Sequence, residues 1–404
     1  MNLLDRFLKY VRYDTMPDPL SKTAPSTMKQ IILGEEIIRD MAELGITDAR
    51  MGAGGVVYGS LPATTGHEGK PCIGFIAHLD TSPDLSGADV NPRITENYDG
   101  GDIDYPNYHE PLSPRRFPDL KEHIGKTVIL TDGGTLLGAD DKAGAAEILD
   151  AVRVMNEQGV PHGRIALAFT PDEEIGRGVD NFDLTEFGAE FAYTLDGGEL
   201  EYIEYECFNA SSLTVTVTGL NIHPGAAKNQ MKNASLIAFE FDRLLPEAQR
   251  PQFTEGYEGF FHLSSIEGNE EKAVSRYIVR DHDKFKFRDK KELAEKIGEF
   301  LNVKYGENTV DIELEDSYHN MLEMIRPHMH VVDRAKRAME QAGITPREKA
   351  IRGGTDGARL SYMGLPCPNL PTGGHNYHGR FEYIPLEDMQ KAVEIIVNIA
   401  RADG

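Results

Sequence analysis

The sequence predicts an α/β protein whose main domain holds a mostly parallel central sheet flanked by helices. Four short apolar runs, at residues 73–77, 127–130, 164–169 and 191–195, have the length and continuity of buried strands. Helical or loop segments separate the runs, and acidic residues or histidine follow each of them. Since open α/β sheets place their ligands at the carboxyl ends of the strands, we expect the functional site at that edge.

The remaining elements follow from periodicity and from stop residues. Apolar residues at helical spacing predict helices at 3–10, 27–44, 145–155, 233–245, 290–301, 331–342 and 386–400. Alternating or short apolar runs predict further strands at 56–59, 213–217, 273–279 and 310–314. The stretch from Ser82 to Lys126 is rich in Pro, Gly, Asp and Tyr without a clear period, and so long a connection is more often functional than accidental.

The pattern of residue types changes between Phe208 and Tyr318. Its strands alternate Val with Thr, which is typical of a sheet with one wet face, and its elements follow a β-α-β-α-β order. We therefore predict an α+β sandwich at 208–318, inserted between the two parts of the main domain at 1–207 and 319–404.

Composition excludes several functional classes. The 404 residues carry a formal charge of -24, which argues against a nucleic acid partner because phosphate contacts need clustered Lys and Arg. No apolar run approaches the roughly 18 residues of a membrane span, and we see no signal peptide. The three cysteines are far apart and form no C-x-x-C pair, so neither disulfides nor a thiolate zinc site is expected, and the compartment predicted is the cytoplasm.

Residues at the strand ends suggest a metal centre. The set comprises His78, Asp80, Asp140, Glu173, Glu174 and Asp196, with His375 and His378 near the end of the chain. Imidazoles and carboxylates suit zinc or another divalent first-row metal. There are too many acids for one tetrahedral ion, whereas a pair of ions about 3.5–4 Å apart, bridged by one carboxylate, would use them.

The motifs around these residues carry a family resemblance over nearly the whole chain. In order they are His78-Leu79-Asp80-Thr81, Gly138-Ala139-Asp140-Asp141-Lys142, Asp172-Glu173-Glu174-Ile175-Gly176, Asp196-Gly197-Gly198, His223-Pro224-Gly225 and Arg352-Gly353-Gly354-Thr355-Asp356-Gly357. The pattern resembles the co-catalytic di-zinc metallopeptidases, which include aminoacylases, carboxypeptidase G and bacterial di- and tripeptidases. Gly100-Gly101-Asp102-Ile103 and Asn376-Tyr377-His378-Gly379-Arg380 are most similar to the tripeptide aminopeptidases of that family.

The resemblance implies two Zn²⁺ ions per subunit and assigns their ligands. Asp140 would bridge the ions, His78 and Asp196 would hold one, and Glu174 and His378 would hold the other. From spacing alone His375 and His378 both remain candidates, and the family pattern selects His378. The family also has a cis peptide bond after the bridging acid, which places one between Asp140 and Asp141, whose side chain we expect to cap the following helix.

Other residues are assigned supporting or chemical roles. Asp80, two residues beyond His78, would accept the N–H of that ring, and Glu173 would be the general base for a metal-activated water. In dimeric members the histidine equivalent to His223 reaches the partner's active site and stabilises the developing oxyanion. Arg280, and less strongly Arg352, are candidates to bind the terminal carboxylate of the substrate, although both are equally compatible with structural ion pairs.

The resemblance therefore implies a homodimeric tripeptide aminopeptidase, with a catalytic domain at 1–207 and 319–404 and a lid or dimerisation domain at 208–318. Composition adds the cytoplasm as compartment, with neither nucleic acid nor membrane as partner. Two alternatives stay open. One is an aminoacylase, deacetylase or carboxypeptidase on the same core, and the other is a metal-binding homologue without turnover. In the loop at 84–121, Asp99, Asp102 and Tyr105 have no assigned role.

Overall fold

The computed structural model describes residues 1–402. The chain divides into two compact units. The first comprises Met1–Tyr205, Glu323–Lys349 and the described residues from Thr355 onward, and the second comprises Glu206–Leu322 and Ala350–Gly354.

Each of the seven predicted helices is present, and three short helices, at 184–187, 322–325 and 356–363, were not predicted. The helices are α1 Leu3–Tyr10, α2 Lys29–Glu43, α3 Ala139–Gln158, α4 Leu184–Phe187, α5 Ala234–Leu244, α6 Lys284–Tyr305, α7 Leu322–Ile325, α8 Met329–Gln341, α9 Asp356–Met363 and α10 Leu386–Ala400. Helices α1 and α10 begin and end at the predicted residues. Asn2 caps α1 by accepting the Asp5 N–H at 2.9 Å. None of the described helices is both long enough and apolar enough to cross a membrane.

The strands fall into several sheets. They are β1 Arg50–Met51, β2 Val57–Leu61, β3 Ile73–His78, β4 Arg93–Thr95, β5 Val128–Leu130, β6 Ile165–Thr170, β7 Phe191–Gly197, β8 Tyr202–Ile203, β9 Asn209–Thr218, β10 Phe260–Gly268, β11 Lys272–Asp281, β12 Val310–Tyr318, β13 Arg347–Glu348, β14 Asn369–Pro371 and β15 Tyr383–Pro385.

The central sheet of the first unit has the order β1-β2-β6-β3-β7-β14. Strand β3 pairs in parallel with β6 and β7, and β14 pairs in parallel with β7, whereas β1 and β2 are antiparallel. All residues of β3 and β6 are buried, as expected for strands covered on both faces. Helix α3 packs against β3 and β7, and α1 and α10 pack against α3. The predicted mostly parallel sheet flanked by helices is confirmed.

One predicted member of this sheet lies elsewhere. Strand β5, which precedes Asp140 in the chain, is the middle strand of a separate antiparallel sheet with the order β15-β5-β4. The expectation that it joins the parallel strands is therefore wrong. Its apolar residues are buried instead in a small local core with Tyr98, Leu112 and Tyr383. A short apolar run shows that a strand is buried but not which sheet it joins.

The second unit has an antiparallel sheet with the order β10-β11-β9-β12. Helices α5 and α6 pack against this sheet, and Val215, Phe241 and Leu301 belong to the core between them. The predicted β-α-β-α-β order lacks β10, because the residues of that strand do not alternate regularly between buried and exposed. A register shift between Leu263 and Ser265 interrupts the alternation of that strand, and Phe261 is its one fully buried residue.

Candidate active site

The carboxyl ends of the central parallel strands bring the first site residues together. His78 is the last residue of β3 and lies in register with Thr170 of β6, while Asp196 lies near the end of β7. The Nε2 atom of His78 is 2.9 Å from Asp140 Oδ1 and 3.6 Å from Asp196 Oδ1. The predicted edge of the sheet is therefore where these groups meet.

Asp140 lies between two histidines. Its Oδ1 faces His78 Nε2 at 2.9 Å, and its Oδ2 faces His378 Nε2 at 3.1 Å. Burial alone would raise the pKa of Asp140, but its hydrogen bonds with His378 and His78 outweigh burial and hold the pKa below the ordinary value. The carboxylate thus presents one oxygen to each side of the site, which is the geometry a bridging ligand needs.

Asp141 supports the backbone beside His78, and its carboxylate forms a second group of possible ligand atoms with His78 and Asp196. The bond between Asp140 and Asp141 is cis, as the resemblance implies. The buried side chain of Asp141 accepts the N–H of Gly144 at 3.2 Å, which is the predicted cap of the following helix. Its other oxygen accepts the N–H of His78 at 3.0 Å, so it joins the end of β3 to the start of α3.

Glu174 and His378 complete the group on the other side of Asp140. Glu174 Oε1 lies 3.2 Å from His378 Nε2 but makes no aligned hydrogen bond and is buried. Burial, and then the charge of Asp140, raises the pKa of Glu174 to about 7. The hydrogen bond to Asp140, followed by the close carboxylate of Glu174, raises the pKa of His378 to about 11. The neighbouring carboxylates therefore favour the protonated, positively charged form of His378.

Asp80 supports both the His78 side and the Glu173–Glu174 turn. Its two carboxylate oxygens accept the N–H groups of Glu173 and Glu174, each at 3.0 Å. His78 Nδ1 is 3.1 Å from the main-chain oxygen of Asp80 and 3.4 Å from its carboxylate. Because a carbonyl oxygen only accepts, Nδ1 carries the proton and Nε2 is directed at Asp140 and Asp196. The predicted partner of the ring is thus Asp80, mainly through its backbone.

Glu173 lines a narrow pocket that it shares with His78. Asp356, a residue of the motif at 352–357, lines the same pocket, as does Asp196. Burial first, and then the charge of Asp196, raises the pKa of Glu173 well above its ordinary value. Burial likewise raises the pKa of Asp356 to about 7. Glu173 is thus half-buried beside the metal-ligand candidates, and it belongs to neither group of ligand atoms that they form.

The residues present fit a pair of divalent cations. We call His78, Asp140, Glu174, Asp196 and His378 the strand-end cluster. The ligand atoms of His78, Asp140 and Glu174 lie within 4.8 Å of one another. The ion pairs that these carboxylates make are with the two histidines, and the buried Glu174 Oε1 lacks a hydrogen-bond donor. Imidazole and carboxylate donors of this kind suit zinc and similar ions.

Sequence reasoning missed Glu382, which holds the turn that leads to Asp140. Its Oε2 accepts the N–H groups of Leu137 at 2.8 Å and Gly138 at 2.7 Å, and its Oε1 accepts that of Asp140 at 3.0 Å. Burial raises the pKa of Glu382 to about 7, although these three donors oppose the shift. The signal that could have found it is an acid within the apolar run 381–384, since a buried carboxylate requires partners.

Asp172 was also missed, although it directly precedes Glu173. Its carboxylate accepts the Oγ–H of Ser26 at 2.5 Å, the N–H of Ser26 at 2.6 Å and the Nε2–H of Gln30 at 2.6 Å. Gln30 Oε1 in turn accepts the N–H of Asp172 at 2.9 Å. The φ of Asp172 is +61°, a left-handed conformation that a non-glycine residue adopts only with support. The segment before α2 thus holds the turn that presents Glu173.

His375 belongs to a different cluster from His378. It lies with His123 and Asp388 in a group whose ligand atoms are within 4.8 Å of one another. Lys126 Nζ is 2.6 Å from Asp388 Oδ1 and 3.2 Å from His123 Nδ1. We call His123, Lys126, His375 and Asp388 the Lys126 cluster. Burial first, and then the charge of His123, lowers the pKa of His375 to about 4, so this ring is neutral near pH 7.

The remaining candidates of the first unit lie in the long loop at 84–121. Asp99 accepts the N–H of Gly101 at 2.8 Å and Asp102 accepts the hydroxyl of Ser113 at 2.5 Å, so both stabilise the loop itself. Tyr105 is buried in the local core that contains β5. Asp84 Oδ2, in contrast, approaches His378 Nδ1 at 3.8 Å.

The second unit carries the other three candidates. His223 is exposed, and its Nδ1 accepts the N–H of Gly225 at 3.2 Å, so Nε2 is the ring atom left to donate in the neutral form. Arg280 donates to the carbonyl of Val279 at 3.1 Å and lies over the ring of Tyr318 at 5.3 Å. Burial lowers the pKa of Arg280.

Arg352 is held within the second unit. Its guanidinium donates to the carbonyls of Gly256 at 2.6 Å and Glu258 at 3.0 Å and to Thr254 Oγ1 at 3.0 Å. It also lies over the ring of Phe208 at 5.1 Å. These contacts favour the structural alternative for Arg352 over contact with a substrate carboxylate.

Known proteins resemble this chain both in sequence and in fold. Residues 126–402 match the family described as Peptidase family M20/M25/M40. The protein named Peptidase T from Caldanaerobacter subterraneus subsp. tengcongensis is 54% identical over 405 residues, covering 100% of this chain and 98% of its own length.

Two solved structures share the fold. The aminopeptidase PepT of Bacillus cereus superposes with a TM-score of 0.77 at 23% identity, covering 99% of this chain and 98% of its own. A tripeptidase from Staphylococcus aureus superposes with a TM-score of 0.78 at 22% identity, covering 100% and 98%. With the strand-end cluster, these matches show that the chain is a peptidase and belongs to Peptidase family M20/M25/M40.

Proposed function

We propose that the chain is a di-zinc aminopeptidase that releases the N-terminal residue of tripeptides. The observation that carries the proposal is Asp140, whose two oxygens face His78 and His378 separately, with the free carboxyl group of Glu173 beside them. The names Peptidase T, aminopeptidase and tripeptidase carried by its relatives and structural neighbours support the substrate class.

The strand-end cluster would hold the two ions. His78 and Asp196 would bind one, Glu174 and His378 the other, and Asp140 both. The chemistry that two divalent ions supply in such a site is Lewis acidity, which polarises a carbonyl and makes water more acidic. The proton on His78 Nδ1, held by Asp80, leaves Nε2 free to be a ligand.

In the proposed mechanism, Glu173 transfers the proton. It would accept a proton from the water that attacks the first peptide carbonyl. It would then give a proton to the nitrogen of the departing dipeptide as the C–N bond breaks. The N–H groups of Glu173 and Glu174 both bind Asp80, so the backbone is held while the two side chains take different directions.

The second unit would supply recognition and charge stabilisation. His223, with Nε2 left to donate, would stabilise the oxyanion of the partner's site in a homodimer formed through this unit. Arg280 would bind the far carboxylate of the substrate and so limit its length. The exposed Phe239, Phe300 and Val303 on α5 and α6 support a protein interface on this unit.

The cytoplasm remains the proposed compartment, with neither nucleic acid nor membrane as partner. All three cysteines, Cys72, Cys207 and Cys367, are free thiols, which suits a reducing environment. Light scattering would test the dimer, and a monomer at assay concentration would contradict it.

A panel of free di-, tri- and tetrapeptides, with N-acetylated and C-amidated tripeptides, tests the substrate class. We expect the free tripeptides to be cleaved fastest, with two metal ions per chain in the active protein. Equal rates on all three lengths, or faster cleavage of amidated peptides, would contradict the length rule. Faster cleavage of acetylated peptides would indicate a deacylase, and bound metal without turnover would indicate a binding protein.

A further inference from the structure

The segment that carries His378 is a closed loop. The N–H of His375 donates to the carbonyl of Tyr383 at 2.9 Å, and the N–H of Tyr383 donates to the carbonyl of His375 at 3.1 Å. We call residues 375–383 the His378 loop. Its closed base fixes where the loop starts and ends, but His378 itself is exposed for 44% of its side chain. A second attachment is therefore needed to hold the imidazole against Asp140.

Glu382 makes that attachment. The residue is 1% exposed, and it reaches from the base of the His378 loop to the turn before α3. There its carboxylate accepts the backbone N–H groups of three residues within four positions, Leu137, Gly138 and Asp140. Gly138 has no side chain to cap α3, so these N–H groups depend on an acceptor from elsewhere in the chain. Hydrogen bonds to a carboxylate are stronger than those between neutral groups.

We propose that Glu382 is a positioning residue that sets the distance between the carboxylate of Asp140 and the imidazole of His378. The two ligand-bearing segments lie more than 200 residues apart in the chain, and Glu382 is a direct side-chain link between their backbones. Glu382 does not enter either candidate group of ligand atoms around Asp140. Its effect on cation affinity rests on the proposed function, because that function supplies the two cations.

Glu382→Gln is a sharp probe because it changes one atom. In either orientation the amide places an N–H donor against a backbone N–H donor, so at least one bond to the turn is replaced by repulsion. Glu387→Gln is the matched control. Glu387 lies five residues later and accepts the N–H of Thr127 at 2.8 Å, so it also anchors a backbone group, although not one next to a ligand.

The experiment titrates Zn²⁺ and Co²⁺ into metal-free wild-type, Glu382→Gln and Glu387→Gln proteins and measures thermal unfolding of the same samples. We expect Glu382→Gln to weaken cation binding about 10- to 100-fold, as loss of a partner behind a ligand does. Its Co²⁺ absorption spectrum should also change, and Glu387→Gln should bind as wild type. Hydrogen exchange should become faster at Leu137, Gly138 and Asp140 in Glu382→Gln only.

Two outcomes would overturn the positioning role. One is equal cation affinity and exchange in wild type and Glu382→Gln, and the other is an equal loss of affinity in both variants, which would mark a general effect of stability. Either result leaves the proposed function standing. A wild-type protein that binds two cations but cleaves no tripeptide would instead contradict the proposed function and leave the role of Glu382 intact.

Discussion

Two clusters of histidine and carboxylate each take one histidine from the His378 loop, and they differ in how their charge is balanced. In the strand-end cluster, His378 Nε2 faces Asp140 at 3.1 Å and Glu174 at 3.2 Å, and histidines supply the positive charge. In the Lys126 cluster, three residues away at His375, the ammonium of Lys126 binds Asp388 at 2.6 Å. The first cluster has carboxylates in excess, whereas the second holds one carboxylate and its own cation.

This difference in charge balance indicates which cluster needs a metal ion. A buried carboxylate is costly unless a positive group pairs with it. Lys126 meets that need for Asp388, so the rings of His123 and His375 can remain packed against each other, with their centroids 4.7 Å apart. Neighbouring carboxylates raise the pKa of His378, and burial followed by the charge of Asp140 raises the pKa of Glu174, as expected where carboxylates are in excess. We expect the strand-end cluster to take part in catalysis and the Lys126 cluster to stabilise the His378 loop.

The largest effect is expected from Glu173→Gln, which removes the proposed base without changing the shape of the side chain. Because general base catalysis contributes about 10²–10⁴-fold, kcat on a tripeptide should fall by that factor. Metal content should not change, since Glu173 is not among the grouped ligand atoms. Its neighbour provides the control, because Glu174→Gln should lower metal content as well. Full hydrolysis by a fully loaded Glu173→Gln protein would show that the mechanism is wrong.

The two histidines of the loop provide a paired test of the comparison itself. His378→Gln should weaken cation binding by more than the roughly 10–100-fold that loss of a supporting partner costs, because it removes a ligand. His375→Gln should leave the affinity near that of wild type and lower thermal stability instead. Calorimetric titration of both metal-free proteins measures the difference. If the two variants lose affinity equally, the clusters are not functionally distinct.

Much of the strand-end cluster could be predicted because its members follow buried strands. His78 and Asp196 are at the ends of β3 and β7, and apolar runs of strand length indicate where such ends fall. The same argument placed β5 in the wrong sheet, because its three apolar residues are buried by Tyr98 and Tyr383 rather than by the central layers. Burial can be predicted from composition, but the partner strand cannot.

The supporting residues could not be predicted because their partners are distant backbone groups. Glu382 accepts N–H groups some 240 residues earlier, and Asp172 binds Ser26 and Gln30 about 145 residues earlier. No spacing rule relates such positions, since a backbone donor has no residue type. The choice between His375 and His378 also depended on family resemblance, and the structure distinguishes them through Lys126, which carried no signal in the sequence.

An intermediate effect is expected from Asp80→Asn. An amide can accept with one oxygen only, so it would place a donor against the N–H of Glu173 or Glu174. Cation affinity should fall about 10- to 100-fold. Asp48→Asn is a control for removing a carboxylate that binds backbone, since Asp48 accepts the N–H of Ser60 at 2.8 Å away from the cluster. An affinity loss of the same size in both variants would contradict the role of Asp80.

Removing the ammonium tests whether the Lys126 cluster is complete without a metal. Lys126→Met leaves Asp388 without its lysine partner and should lower the free energy of unfolding by about 1–3 kcal/mol. It also frees a carboxylate beside two imidazoles, so metal titration should reveal a third, weaker site that wild type lacks. Adding His123→Gln should abolish that site. A third ion already present in wild type would show that Lys126 does not complete the cluster.

The smallest effect is expected in the pH dependence of stability through Asp388. Burial would raise its pKa, but hydrogen bonds from His123 and Lys126 outweigh burial and hold the pKa below the ordinary value. A carboxyl group with a lowered pKa in the folded state stabilises fully above its unfolded value of about 4, and loses that contribution as pH falls through the folded value. The difference in unfolding free energy between wild type and Asp388→Asn should therefore be constant from pH 7 to about pH 5 and shrink below about pH 4. Denaturant unfolding of the metal-free proteins across that range measures it, and a difference that grows on acidification would mean that the Lys126 cluster is not held by an ionised Asp388.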